Sequence, residues 1–204
     1  NKNTAVVKNG VDFQMFNKHA KTALNENIRK RVGYIGSIDH RFNFEVVEYA
    51  IQNLPDFDFE FVGDQMNKSV AQVLSKYQNV KFFPPVKPWE VPELLRQCDV
   101  GLIPYVCTEY TKNIYPLKIN EYLSVGVPVV LTNFAHLPEF EEIVSFAENK
   151  ESFFEAIRTA IETDSPEKIK YRIEFAEKNS WENRAIQFGK ILVEFQGNRK
   201  MKTI

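Results

Sequence analysis

Short apolar runs alternate with longer segments of helical period through most of this chain, the pattern of strand–helix–strand units around a parallel sheet. Strands are expected at 31–36, 57–64, 79–84, 99–105, 127–133 and 143–148. Several are apolar at consecutive positions, as strands covered on both faces are. Helices are expected between them at about 43–54, 67–77, 89–97 and 116–125, the third led by Pro88. The opening NTAVVKNGVD reads as a strand leading into a turn. After the last strand the pattern becomes helical in three segments, with Ser165 and Ser180 placed as N-caps and Pro166 at a first helical position. The expected architecture is α/β: a Rossmann-like, doubly wound parallel sheet of about six strands with C-terminal helices, one domain over residues 1–204.

Composition supports a packed domain: 44% of the 204 residues are hydrophobic, with 17 Phe and 8 Tyr. The 26 basic and 27 acidic residues leave a formal charge of -1, so no global field draws the chain to nucleic acid or anionic lipid. Any ligand must be found in local sites. Cys98 and Cys107 lack CxxC or Cys/His ligand spacing and read as reduced packing residues, so no metal is expected. No apolar run approaches the roughly 20 residues of a membrane span, and no signal peptide is evident, so a cytoplasmic protein is expected. A chain that begins with Asn1 also reads as a piece of a longer protein.

In a doubly wound sheet, ligands lie beyond the carboxyl ends of the strands, which directs attention to the loops there. The loop after the first strand, GYIGSIDHRFN, carries Gly36, Ser37 and Arg41. Gly36 would admit a phosphate close to the backbone and Arg41 would meet its charge; a plain turn with a solvated arginine is the alternative. The spacing is not GxGxxG. After the third strand, Pro84-Pro85 stiffens a turn that leaves the backbone of Val86 and Lys87 on the rim, suited either to main-chain recognition of a planar base or to a simple connector. Trp89 is expected to pack the following helix. The loop 105–115 is the longest polar interruption and carries Glu109, Lys112 and Asn113.

The stretch YPLKINEYLSVGVPVVLTN, residues 115–133, poses the sharpest question. With Pro116 at the first helical position, Tyr115 becomes the N-cap and has no short side-chain oxygen to offer. The amides of Leu117, Lys118 and Ile119 then lack a cap, and Lys118 stands where the helix dipole disfavours a cation. A bound anion would resolve both features. Glu121, one turn on, could accept hydrogen bonds from vicinal ribose hydroxyls. The alternative is an amphipathic helix with a weak Lys118–Glu121 surface pair.

Taken together, VVKNGVDFQMF (6–16), the Gly36 loop, FEFVGD, the segment 79–105 with Asp99 before its strand, and YPLKINEYLSVGVPVV resemble the C-terminal, donor-binding half of GT-B glycosyltransferases, in particular glycosyltransferase family 4. The resemblance runs almost end to end. It implies a metal-independent, retaining transferase whose substrate is a nucleotide-diphosphate sugar of UDP or GDP type, with no further cofactor. It places the diphosphate on the helix beginning at Pro116, near Leu117 and Lys118, the ribose on Glu121 and the base near Val86 and Lys87. Of the two glutamates common in the family, the first is replaced here by Asn113. Ser37 and Phe42 stand where many members carry Arg and Lys, and Arg41 is the nearest substitute. The implied catalytic set is Arg41, Lys118 and Glu121; the implied donor-binding set is Gly36, Ser37, Val86, Lys87, Asn113, Tyr115, Pro116 and Leu117. Implied partners are a nucleotide sugar and an N-terminal acceptor domain absent from this chain. The variant PLKxxEYL block resembles bacterial surface-polysaccharide enzymes. The last helix is expected to bury Trp181, Ile186, Phe188, Ile191 and Leu192, and the resemblance implies that it closes the domain and reaches back to the missing half. The basic tail GNRKMKTI is either a peripheral contact with an anionic membrane that holds lipid-linked acceptors or, as the weightier alternative, a solvated tail.

Overall fold

Six strands, all parallel, form one sheet in the order β3-β2-β1-β4-β5-β6. They are β1 (Arg31–Ile35), β2 (Asp58–Val62), β3 (Val80–Phe83), β4 (Val100–Ile103), β5 (Val129–Thr132) and β6 (Ser145–Ala147). This is a computed structural model that describes residues 4–200, with side chains described for 4–196. Among the described residues eight α-helices accompany the sheet: α1 (Phe13–Asn17), α2 (Phe44–Asn53), α3 (Lys68–Leu74), α4 (Val91–Gln97), α5 (Leu117–Ser124), α6 (Lys150–Glu162), α7 (Pro166–Lys178) and α8 (Trp181–Lys200). The expected α/β, Rossmann-like class is observed. The central strands β4 and β5 are buried at every position, which explains their unbroken apolar runs.

Short polar side chains set most of the helix starts. Asn43, Asn67, Asn149 and Ser165 each accept from the backbone three residues on, capping α2, α3, α6 and α7. Ser180 accepts from the Asn183 amide and caps α8. Asp99 also has a structural task. Its Oδ2 accepts the Arg31 amide at 2.8 Å, tying the start of β1 to β4.

The structure corrects several expected elements. The opening strand does not form: residues 4–10 have no regular structure and Val11 makes only an isolated parallel bridge with Ser180. The sheet is already complete at β3 and β6, and Gly10 is pressed against the Trp181 backbone, where a Cβ would lie 2.8 Å from Cα. The third expected helix divides into a single turn, Pro88–Glu90, followed by α4. The last strand shortens because the amides of Ile143 and Val144 both turn back to the Phe140 carbonyl. Pro116 is the N-cap of α5 rather than its first residue, but no side chain caps this helix, as expected.

Helix α8 differs most from expectation. Of the five apolar residues expected to be buried, Trp181, Ile186, Phe188 and Leu192 are about half exposed and Ile191 is partly buried. Trp181, Phe188, Ile191 and Leu192 fall on one side of the helix and Ile186 on the other, so α8 presents an apolar stripe that its own domain leaves largely uncovered. The side chains of the basic tail lie outside the described residues. Among the described residues, no helix is long and apolar enough to cross a membrane.

Candidate functional site

The crossovers leave β1 and β4 in opposite directions, so the loops after these two strands diverge and open a crevice between them. Helix α5 stands behind it. Its seat is fixed by Tyr122, fully buried against Gly101, where a Cβ would come within 2.2 Å of the ring. The Tyr122 hydroxyl accepts the Ile35 amide at 3.1 Å, locking α5 to the end of β1. At its far end α5 stops at Gly126 (φ 85), a left-handed residue suited to glycine, and Pro128 follows before β5.

At the near end two more glycines permit close approach. Gly36 (φ 153) lies under the Lys118 side chain, where a Cβ would be 2.7 Å from Cε and 2.8 Å from Nζ. Gly63 (φ 140) abuts Gly36, where a Cβ would come within 2.4 Å of the carbonyl oxygen. The ends of β1 and β2 and the first turn of α5 therefore meet without intervening side chains. Around this meeting point lies a cleft of about 310 Å³ that brings together Gly36, Ser37, Val86, Lys118 and Glu121.

Lys118 and Glu121 face this cleft with no hydrogen bond or ion pair among the described residues, so the expected alternative of a surface pair does not form. Burial pushes the Lys118 amine below the usual lysine range, opposed by the nearby Glu121 charge. Burial likewise raises the Glu121 carboxyl, opposed by Lys118. Each group is thus charged at a cost that a complementary ligand would offset. In the first turn of α5 the Ile119 amide is bonded to the Pro116 carbonyl at 3.3 Å, while the amides of Leu117 and Lys118 have no side-chain cap.

The remaining expected residues lie outside the lining. Arg41 is held by Asp39, its Nε 3.0 Å from both carboxylate oxygens, and lies over the Tyr105 ring at 5.3 Å. That bidentate pair raises the Arg41 pKa and neutralises much of its charge locally. The main chain of Lys87 is fully engaged: its amide donates to Glu90 Oε2 at 2.9 Å and its carbonyl accepts from the Glu90 amide at 2.9 Å. Of the two residues expected near the base, Val86 lines the cleft and Lys87 does not. Trp89 is exposed and carries the Lys87 ammonium over its ring instead of packing α4. Asn113 is exposed in the single turn Thr111–Asn113 and donates to the Glu109 carbonyl at 2.8 Å. Tyr115 packs on Phe140 behind the cleft, and Pro116 and Leu117 form the edge of α5 without lining it.

Met15 and Phe16 of α1 also line the cleft. Sequence reasoning quoted their motif but did not place them, although the capping of α1 by Asp12, which accepts the Met15 amide at 3.0 Å, follows from the Asn-Gly-Val-Asp pattern. The two cysteines separate. Cys98 is buried against Gly33 with its thiol pushed up to about 12, whereas Cys107 is exposed and does not serve packing. Among the described residues, no three His, Cys, Asp or Glu side chains are grouped to hold a metal ion.

Comparison with known proteins bears on the family and the fold. The family model described as glycosyl transferases group 1 matches residues 29–163, more than half of the chain. A Bacillus subtilis (strain 168) protein, TuaH, named as a teichuronic acid biosynthesis glycosyltransferase, is 34% identical over 133 residues, covering 62% of this chain and 34% of its own length. Among solved structures, sucrose-phosphate synthase from Thermosynechococcus elongatus superposes with a TM-score of 0.74 at 16% identity, covering 95% of this chain and 53% of that one. An E. coli trehalose-6-phosphate structure bound with UDP-2-fluoro glucose gives 0.68 at 12% identity, covering 89% and 50%. At such identities these two show a shared fold, and this chain spans about a third to a half of the proteins it matches. By its match over residues 29–163, the chain belongs to the glycosyl transferases group 1 family.

Proposed function

We propose that this domain binds the nucleotide-diphosphate sugar of a glycosyltransferase and supplies the groups that stabilise the departing diphosphate. The observation that carries this reading is Lys118 lying across the bare backbone of Gly36 beside Glu121, neither side chain held by a hydrogen bond or ion pair among the described residues. The diphosphate would rest on the amides of Leu117 and Lys118 and on the Lys118 ammonium. Glu121 would accept the ribose hydroxyls, and the Val86 main chain would meet the edge of a UDP or GDP base. Ser37 lies within the same cleft and Arg41 beside it, where its charge reaches the phosphates only with Asp39 attached.

Glycosyl transfer builds negative charge on the leaving diphosphate as the sugar becomes oxocarbenium-like, and preorganised donors at that point lower the barrier. One cation and two helix amides stand there already, which favours a metal-independent reaction; retention of configuration rests on the family resemblance alone. Surface-polysaccharide synthesis fits the name of the B. subtilis relative. An N-terminal acceptor half would cover the exposed side chains of α8 and complete the enzyme, working in the cytoplasm against a lipid-linked acceptor at the membrane surface. The isolated domain is therefore expected to bind donor without turnover, and measurable sugar transfer by this chain would overturn that.

A second reading, a non-catalytic nucleotide-binding module, is favoured by one feature: Asn113, at the position of the family's first glutamate, is turned to the Glu109 carbonyl and away from the cleft. Calorimetric titration of wild type and Glu121→Ala with UDP and GDP tests the shared core of both readings. The variant is expected to bind about tenfold more weakly, in line with loss of a charge-assisted hydrogen bond; equal affinity would refute the ribose role.

Affinity should also be bell-shaped in pH. Ionised Glu121 and protonated Lys118 are both required, so binding falls on the acid side through a carboxyl titrating above the usual glutamate range, and on the alkaline side through an amine titrating below the usual lysine range. Glu121→Gln is expected to flatten the acid limb, and a profile unchanged by that substitution would contradict the assignment.

A further inference from the structure

Behind α5, on the side away from the cleft, several buried polar atoms have no hydrogen-bond partner among the described residues. They are both amide atoms of Asn120, the Tyr115 hydroxyl, Glu139 Oε2 and Arg184 Nε. Asn120 is completely buried. The Tyr115 hydroxyl lies beside its amide without closing a hydrogen bond of normal geometry. Lys8 links the group: it pairs with Glu139 Oε1 and stands 5.3 Å over the Tyr115 ring. Arg184 joins from α8, where its Nη1 reaches the Gln187 side chain at 3.2 Å. Burial raises the Tyr115 pKa, and the charges of Glu139, Arg184 and Lys8 all act on it. Four parts of the chain thus converge here: the N-terminal segment, the loop after β5, the first turn of α8 and α5 itself.

A buried amide with neither atom bonded destabilises a fold, and an apolar side chain of similar size would avoid that penalty. The exceptions that persist in proteins call for an explanation outside packing. Asn120 is next to Glu121 in sequence, and Tyr115 immediately precedes the uncapped end of α5. Tyr115 and Asn120 thus flank Lys118 and Glu121 on the same turns of α5, so the packing of the first pair bears on how the second is presented to the cleft.

We propose that Asn120 and Tyr115, braced by Glu139, are positioning residues that set the rotation of α5 for nucleotide binding, retained there against the stability of the unliganded domain. The proposal rests on the nucleotide-binding reading above. Ligand binding and the packing of the cluster are then coupled, because both act on the same turns of α5. The segments carrying Lys8 and Arg184 share that coupling, so the path of the chain into and out of the domain is tied to occupancy of the cleft.

The test compares Asn120→Leu and Tyr115→Phe with wild type in two measurements on this chain: urea unfolding without ligand, and calorimetric titration with UDP and GDP. Both variants are expected to keep or raise the unfolding midpoint while binding nucleotide about tenfold more weakly. If Asn120→Leu does not fold, Tyr115→Phe, which removes one hydroxyl, decides. Wild-type affinity in the variants overturns the proposal, and so does a parallel fall in stability and affinity, the signature of a purely structural role. If the wild type binds neither nucleotide, the proposed function itself fails and this inference with it; wild-type binding with unaltered variants removes only the inference.

Discussion

Replacing Lys118 by methionine is expected to weaken binding of UDP or GDP by about 2–3 kcal/mol, roughly 30- to 150-fold, the range for a hydrogen bond to a charged group removed from a sheltered site. The same substitution should make the unliganded domain more stable. The Lys118 amine is held below the usual lysine range by burial, so its charge opposes folding. That cost is full at pH values below the folded-state pKa and disappears as pH rises past the unfolded value, so it is present at neutral pH and methionine abolishes it. Affinity and stability should therefore move in opposite directions. Calorimetry with urea unfolding reads both, and a variant that binds as wild type does would remove the cation from the account.

The largest expected loss of stability lies at the opposite end of α5. Arg172 of α7 and Asp164 form a 2.6 Å ion pair in which the side chains are only 6% and 5% exposed. Arg172 Nε also donates to the Gly126 carbonyl at 2.9 Å, so this pair fastens the left-handed residue that ends α5. Asp164→Ala would leave a guanidinium buried without its counter-charge, which costs about 3–5 kcal/mol in such settings. An apolar pair at both positions should recover most of this, because it removes the desolvated charges together. Chemical unfolding of the single and double variants checks the claim; a loss below about 1 kcal/mol in Asp164→Ala would show that the pair is not the clasp described.

Much of the fold was legible because a parallel sheet covered on both faces writes itself as apolar runs, as at β4 and β5. The convergence of Gly36, Lys118 and Glu121 was legible for a related reason: strand ends and helix starts define where ligands go in such sheets. Other features depended on tertiary partners that periodicity cannot reveal. The amide of Lys87 was lost to Glu90, three residues on, through a local capping bond that competes with any ligand. The apolar residues of α8 read as core, yet most of them stand about half exposed. Tyr115 looked like a failed cap on the ligand side, whereas its ring turns back onto Phe140 and leaves its hydroxyl beside Asn120.

The central claim is that the cleft at Gly36, Lys118 and Glu121 receives a nucleoside diphosphate. Titration of the isotope-labelled chain with UDP and GDP, followed by NMR of the backbone amides, tests this most directly. The account predicts saturable shifts concentrated at Gly36, Ser37, Val86, Leu117 and Lys118. Saturable binding of both or either nucleotide with those amides unmoved, or no binding of either, would contradict it.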